Sequence, residues 1–283
     1  MTAMIRIGAV SYLNTRPLVF GLAQGLGHDR IRLSEDVPAV LADRMERGEI
    51  DVGLLPVIEL ARIPDLEIVP GLSISSRGPC RSVMLVTRRA PGEIASVGLD
   101  VESRTSNALV QVLCAHAWKT RPEFEVAPVD LDEALERHDA VLRIGDKALF
   151  GPLPVGAVAI DLGQVWDVTF DLPFVYAAWV ARPGIVDREL YQWLHQSRRQ
   201  GRAAIGAIAD DYVWNGRTYP ELSRSYLREN IGYRLGLPEI EGIKRFHTAA
   251  AELGLIDAAP EIRLSLTRWT TCHDSAASME TIP

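Results

Sequence analysis

The chain has 283 residues, 47% of them hydrophobic, and 30 basic side chains against 37 acidic ones leave a formal net charge of -7. That composition excludes a largely disordered chain, and the length suits one large domain or two of ordinary size. The acidic balance offers no general attraction to nucleic acid, anionic membranes or anionic metabolites, so an anion must be held by local groups.

No charged segment followed by an apolar core and a small-residue cleavage site opens the sequence, and no apolar run reaches membrane-spanning length. A cytoplasmic chain without membrane or nucleic-acid partners is expected. Residues 5–10 read as an apolar strand that breaks off into Ser11, Tyr12, Asn14 and Thr15, with Pro17 at the start of a helix. Such a strand end points side chains and unpaired helix-start N–H groups into the space where open α/β sheets hold ligands. A helix over 17–26 carries Leu18, Val19, Leu22 and Leu26 and stops at Gly25 and Gly27. A strand at 31–35, a helix from Pro38 with Val40, Leu41 and Met45 inward, and strands at 50–56 and 66–72 follow. The alternation predicts a parallel sheet with both faces covered.

After a polar loop at 73–80, a strand over 81–87 begins with Arg81 and Ser82, and Pro91 and Gly92 then interrupt the apolar pattern. A domain crossing is placed there. A second series has strands at 97–99, 124–126, 140–144, 158–160 and 173–180. Its helices start at the cap cluster Ser103-Arg104-Thr105-Ser106, near Asp132 and near Val165. From Arg182-Pro183-Gly184 onward the pattern is helical, over 187–209, 219–230 and 239–253, and residues 258–283 form a tail in which 262–269 can dock. The fold expected is α/β with two lobes, 1–87 together with 183–283 and 88–182, and a ligand cleft between them.

Three groups of hydroxyl, amide and helix-start donors stand out: Ser11, Tyr12, Asn14 and Thr15; Arg81 and Ser82; and Thr105 and Ser106. Each serves equally as a cap or turn, but together they can converge on an anion from both lobes. Asp146, after an apolar strand, reads as a base, an acceptor or a cap. The histidines at 28, 116, 138, 195, 247 and 273 and the cysteines at 80, 114 and 272 have no metal-ligand or disulfide spacing. There is no phosphate loop and no Gly-x-Ser-x-Gly elbow. No cofactor and no metal are therefore expected, and an enzyme with this sequence must position a reactive substrate and stabilise charge with neutral donors.

The run Gly8-Ala9-Val10-Ser11-Tyr12-Leu13-Asn14-Thr15-Arg16-Pro17-Leu18 resembles chorismate dehydratase of the futalosine route to menaquinone. Support comes from Asp51-Val52-Gly53-Leu54-Leu55-Pro56, Arg81-Ser82-Val83, Ser103-Arg104-Thr105-Ser106, Ile144-Gly145-Asp146-Lys147 and Leu172-Pro173-Phe174-Val175-Tyr176-Ala177. The resemblance implies a type II periplasmic-binding-protein-like fold and a cofactor-independent lyase. Its substrate would be chorismate, losing water to give 3-[(1-carboxyvinyl)oxy]benzoate. It also implies that Asn14 and Ser82 serve turnover; Ser11, Tyr12, Thr15, Arg81, Thr105, Ser106 and Asp146 are expected around the substrate from their places at strand ends and helix starts. Two other readings stand beside it: a cytoplasmic small-anion binding protein on the same fold, and a later enzyme of the same route, which would need a cleft histidine. The helical return either packs internally or exposes a dimer face, and the sequence leaves that choice open.

Overall fold

The computed structural model describes residues 4–265. The first elements are β1 (Ile5–Val10), α1 (Arg16–Ala23), β2 (Ile31–Asp36), α2 (Pro38–Glu46), β3 (Val52–Pro56) and β4 (Glu67–Ser76). Pro17 and Pro38 stand in the first turns of α1 and α2, where a fixed φ and a missing N–H cost nothing. β1 lies between β2 and β3 and runs parallel to both.

β5 (Val83–Thr87), β6 (Ser96–Leu99), α3 (Arg104–Leu113), β7 (Glu123–Val126), α4 (Leu131–Arg137) and β8 (Ala140–Ile144) come next. They lead to α5 (Gly145–Phe150), β9 (Val158–Asp161), α6 (Leu162–Phe170) and β10 (Phe174–Ala181). The principal helices of the return are α7 (Arg188–Ala203), α8 (Ile205–Asp211), α9 (Pro220–Ser225) and α10 (Leu237–Glu252).

Two five-stranded sheets result, ordered β2-β1-β3-β10-β4 and β7-β6-β8-β5-β9. β10 is antiparallel to β3 and β4, and β5 is antiparallel to β8 and β9. The expected lobe limits put β5 with the first sheet and β10 with the second, and the sheets have them the other way round. The chain crosses before each of these strands, between β4 and β5 and between α6 and β10. The Pro/Gly signals at 88–92 and 182–184 mark turns after the crossing strands, because turn chemistry reports a change of direction and not a change of sheet.

One apolar cluster runs through both lobes. Leu85 and Val97 of the second sheet belong to the same cluster as Val10, Ile68 and Val180 of the first. At the junction Trp166 of α6 meets Phe174 of β10 at 5.0 Å and Phe246 of α10 at 6.2 Å between ring centroids, and the last two are 5.1 Å apart. All three rings are buried. The return clamps the start of the chain: a Cβ at Gly201 of α7 would lie 2.1 Å from the Pro17 carbonyl oxygen. Ser197 Oγ also donates to the Leu18 carbonyl at 2.8 Å.

Within the expected docking stretch, residues 263–265 lie along β4, where the Ile68 N–H donates to the Arg263 carbonyl at 2.8 Å and the Ser265 N–H to the Ile68 carbonyl at 3.0 Å. Residues 266–269, with Cys272 and His273, lie outside the described residues.

His247 of α10 is wholly buried, with Nε2 2.9 Å from the Val57 carbonyl. Burial lowers its pKa, and that contact offsets the lowering only partly. The unfolded chain then takes up the proton first, so this group's stability contribution is complete above the ordinary histidine range and falls as pH drops through it. Stability from denaturant unfolding at about pH 7.5 and about pH 5.5 is expected to show a loss on acidification, at most about 1.4 kcal/mol per pH unit from this group. His247→Gln should show a smaller loss on acidification, and an equal loss in both proteins would assign the effect elsewhere.

Candidate active site

Past β1 the backbone is extended at Tyr12 and then tightens into a single 3₁₀ turn, Leu13–Thr15, that leads directly into α1. This turn seats Leu13 and Thr15 in the interior and leaves Asn14 and Tyr12 half-buried at a cavity wall. The cavity measures about 480 Å³ with its open mouth included. Val10, Tyr12, Asn14, Pro38, Pro56 and Ile74 line it from the first lobe, with Tyr176 and Ala177 of β10. Ser82, Val83, Ser103, Ser106, Ile144 and Gly145 line it from the second. Among the described residues that form the wall there is no lysine, arginine, histidine, aspartate or glutamate.

Of the residues singled out from sequence, the cavity brings together Tyr12, Asn14, Ser82 and Ser106. Ser106 is held by the cap of α3: its N–H donates to Ser103 Oγ at 3.2 Å, and the Ser103 hydroxyl donates to Ser106 Oγ at 2.9 Å. With one lone pair of Ser106 so engaged, its own proton is available to the cavity.

The other five sit outside the wall. Thr105 is buried and its Oγ1 accepts the Ile58 N–H at 3.2 Å, so the second lobe offers Ser106 but not Thr105. Thr15 is fully buried behind the turn. Ser11 uses its carbonyl to accept from Arg16 at 3.2 Å. Arg81 is exposed, with a left-handed φ of 60°, and its N–H donates to Asp161 at 2.6 Å. Asp146 faces away from the cavity: Oδ1 accepts the Leu13 N–H at 3.1 Å and Oδ2 accepts the Tyr212 hydroxyl. Burial raises its pKa, against the opposing pull of those two donors. It fastens the Leu13–Thr15 turn rather than facing a ligand.

Tyr12 spans the cleft. Its ring lies against Gly145, where φ is 62° and a Cβ would come within 2.8 Å of the ring, so any side chain there is both strained and obstructed. Its hydroxyl donates to Glu102 at 2.9 Å, and Lys147 donates to the same carboxylate oxygen at 2.8 Å. Burial works against the Glu102 charge, but Lys147 and Tyr12 hold its pKa below the usual value. Burial and the nearby carboxylates push the Tyr12 phenol far above its ordinary range.

Two groups with a direct bearing on the site escaped sequence reasoning. Ser103 was legible only as a helix cap. Tyr226, in the return after α9, is 1% exposed, and its hydroxyl donates to Ser82 Oγ at 2.7 Å. Nothing local in sequence separates this tyrosine from a core aromatic, since its partner lies 144 residues away.

A family model described as menaquinone biosynthesis matches residues 5–252. A chorismate dehydratase of Thermus thermophilus is 30% identical over 267 residues, which cover 88% of this chain and 95% of that protein. Among solved structures, a protein of Archaeoglobus fulgidus superposes with a TM-score of 0.69 at 14% identity, over 89% of this chain and 98% of that one. The alkanesulfonate-binding protein of Xanthomonas axonopodis pv. citri, bound to MOPS, gives a TM-score of 0.62 at 17% identity, over 93% and 96%. At these identities the structures speak for the fold alone, which is the two-lobe periplasmic-binding-protein type.

Proposed function

Because the chain belongs to the menaquinone biosynthesis family, we propose that it is a chorismate dehydratase, a cofactor-independent lyase that forms 3-[(1-carboxyvinyl)oxy]benzoate. The observation that carries this reading is the wall itself, in which Asn14, Ser82 and Ser106 supply neutral donors from both lobes with no charged side chain among them.

The chemistry suits such a wall. The proton on the ring carbon bearing the enolpyruvyl ether is vinylogous to the ring carboxylate, so breaking that C–H bond spreads its electron pair into the carboxylate. Neutral donors aimed there lower the barrier without neutralising the group beforehand. The neighbouring C–O bond then breaks, the hydroxyl leaves as water by taking up the proton released from the C–H bond, and the ring becomes aromatic. Asn14 orients the departing hydroxyl or the reacting carboxylate, Ser82 donates to a carboxylate, and Ser106 anchors one from the second lobe.

Neither an amide nor a serine is a strong base, and the Tyr12 phenol is held protonated. The proton therefore passes to the substrate's own enolpyruvyl carboxylate, in a conformation that the cavity enforces. Incubation with chorismate should remove its diene absorbance and yield the benzoate product. Binding without that loss would make the protein a small-anion receptor instead.

Asp146→Asn separates the two choices of base. With the substrate as base, the variant should lose less than about tenfold in rate, under about 1.4 kcal/mol of barrier. Abolished turnover with binding intact would count against the substrate as its own base.

A further inference from the structure

We infer that Tyr226 is a positioning residue for Ser82: by donating its phenolic proton to Ser82 Oγ, it leaves the serine's own proton directed at the ligand. This deepens the dehydratase reading and rests on it. A serine hydroxyl has two lone pairs and one proton. The phenol takes one lone pair at 2.7 Å, and among the described residues no protein acceptor is found for the Ser82 proton. Both side chains are almost completely buried, at 1% and 3% exposure, while Ser82 still reaches the cavity wall. Water therefore competes little for the arrangement, and a hydroxyl polarised by a donated proton is itself a stronger donor.

The phenol is well placed to do this. Burial raises its pKa far above the ordinary range, so it remains a donor throughout the range in which the protein is studied. The segment that carries Tyr226 is pinned just beyond it. The Gly232 N–H donates to the Ser75 carbonyl at 2.7 Å and the Ser75 N–H to the Gly232 carbonyl at 2.9 Å, which locks the return to the end of β4. Tyr226 packs in the first-lobe core, whereas Ser82 immediately precedes β5 of the second sheet. The serine is therefore aimed only when the lobes are in register.

A double-mutant cycle tests the inference, with kcat, KM and thermal midpoints measured for the unaltered protein, Tyr226→Phe, Ser82→Ala and the double variant. Tyr226→Phe should lower kcat about tenfold to a hundredfold with little change in KM, a loss of the size of one misdirected donor. In the Ser82→Ala background the same change should cost less than about threefold, because coupled groups are not additive. Equal losses in both backgrounds, with the unaltered protein active, overturn the inference and leave the dehydratase reading standing. No turnover of chorismate by the unaltered protein overturns both. Should Tyr226→Phe not fold, Tyr226→3-fluorotyrosine, which keeps the hydroxyl and sharpens it as a donor, should retain full kcat. A loss of kcat in that variant with the fold intact overturns the inference as well.

Discussion

Asn14→Ala is expected to slow single-turnover dehydration of chorismate by about a hundredfold to a thousandfold, the usual result of deleting one donor that meets developing charge. The residue occupies the middle of a tight turn between β1 and α1, with its amide at the cavity and its neighbours Leu13 and Thr15 buried. The turn is fastened from the second lobe through Asp146 and does not depend on the Asn14 side chain, which accepts a long bond of 3.5 Å from the Thr15 hydroxyl. Alanine should therefore leave the backbone in place and remove only the amide. Measuring chorismate affinity beside the single-turnover rate divides the outcome. A lower rate at unchanged affinity places Asn14 in the chemistry, weaker affinity at an unchanged rate makes it an anchor, and no change in either would sink the assignment.

Trp166→Ala should destabilise the folded chain by about 3–5 kcal/mol, as truncation of a fully buried large aromatic does. The side chain has no exposed surface and touches rings contributed by β10 of the first sheet and by the return. Offset and edge-on ring contacts of this kind add to the burial itself. Since the cluster stands where the lobes meet, its loss weakens their relative placement as well as the total stability. A fall in the denaturant midpoint with one transition retained is the expected reading. A cost below about 1 kcal/mol would show that the junction rests on other contacts.

Much of this site is visible in the sequence because it is built at strand ends. The break from an apolar run into Ser11, Tyr12 and Asn14, followed by Pro17, specifies a strand, a turn and a helix start within a few residues, and local chemistry suffices to locate Asn14. Ser82 and Ser106 could be named for the same reason. Thr105 could not be told from Ser106, since adjacent helix-start residues differ by about a third of a turn in direction and only packing against Ile58 decides which one faces the cleft. Asp146 had the right position and the wrong orientation, and its partners Leu13 and Tyr212 lie far off in sequence. The exchange of β5 and β10 between sheets was illegible because an apolar strand carries no mark of the strand it will pair with.

That exchange also sets a timetable for the growing chain. The second sheet needs only residues 83–161 and can close as soon as they are made. The first sheet begins at residue 5 yet lacks the strand between β3 and β4 until β10 is complete at residue 181. During synthesis β3 and β4 therefore each expose an unpaired edge while some hundred residues are added. The strands of the middle of the chain can pair first, and the insertion of β10, made after them, then closes the gap in the sheet that was begun before.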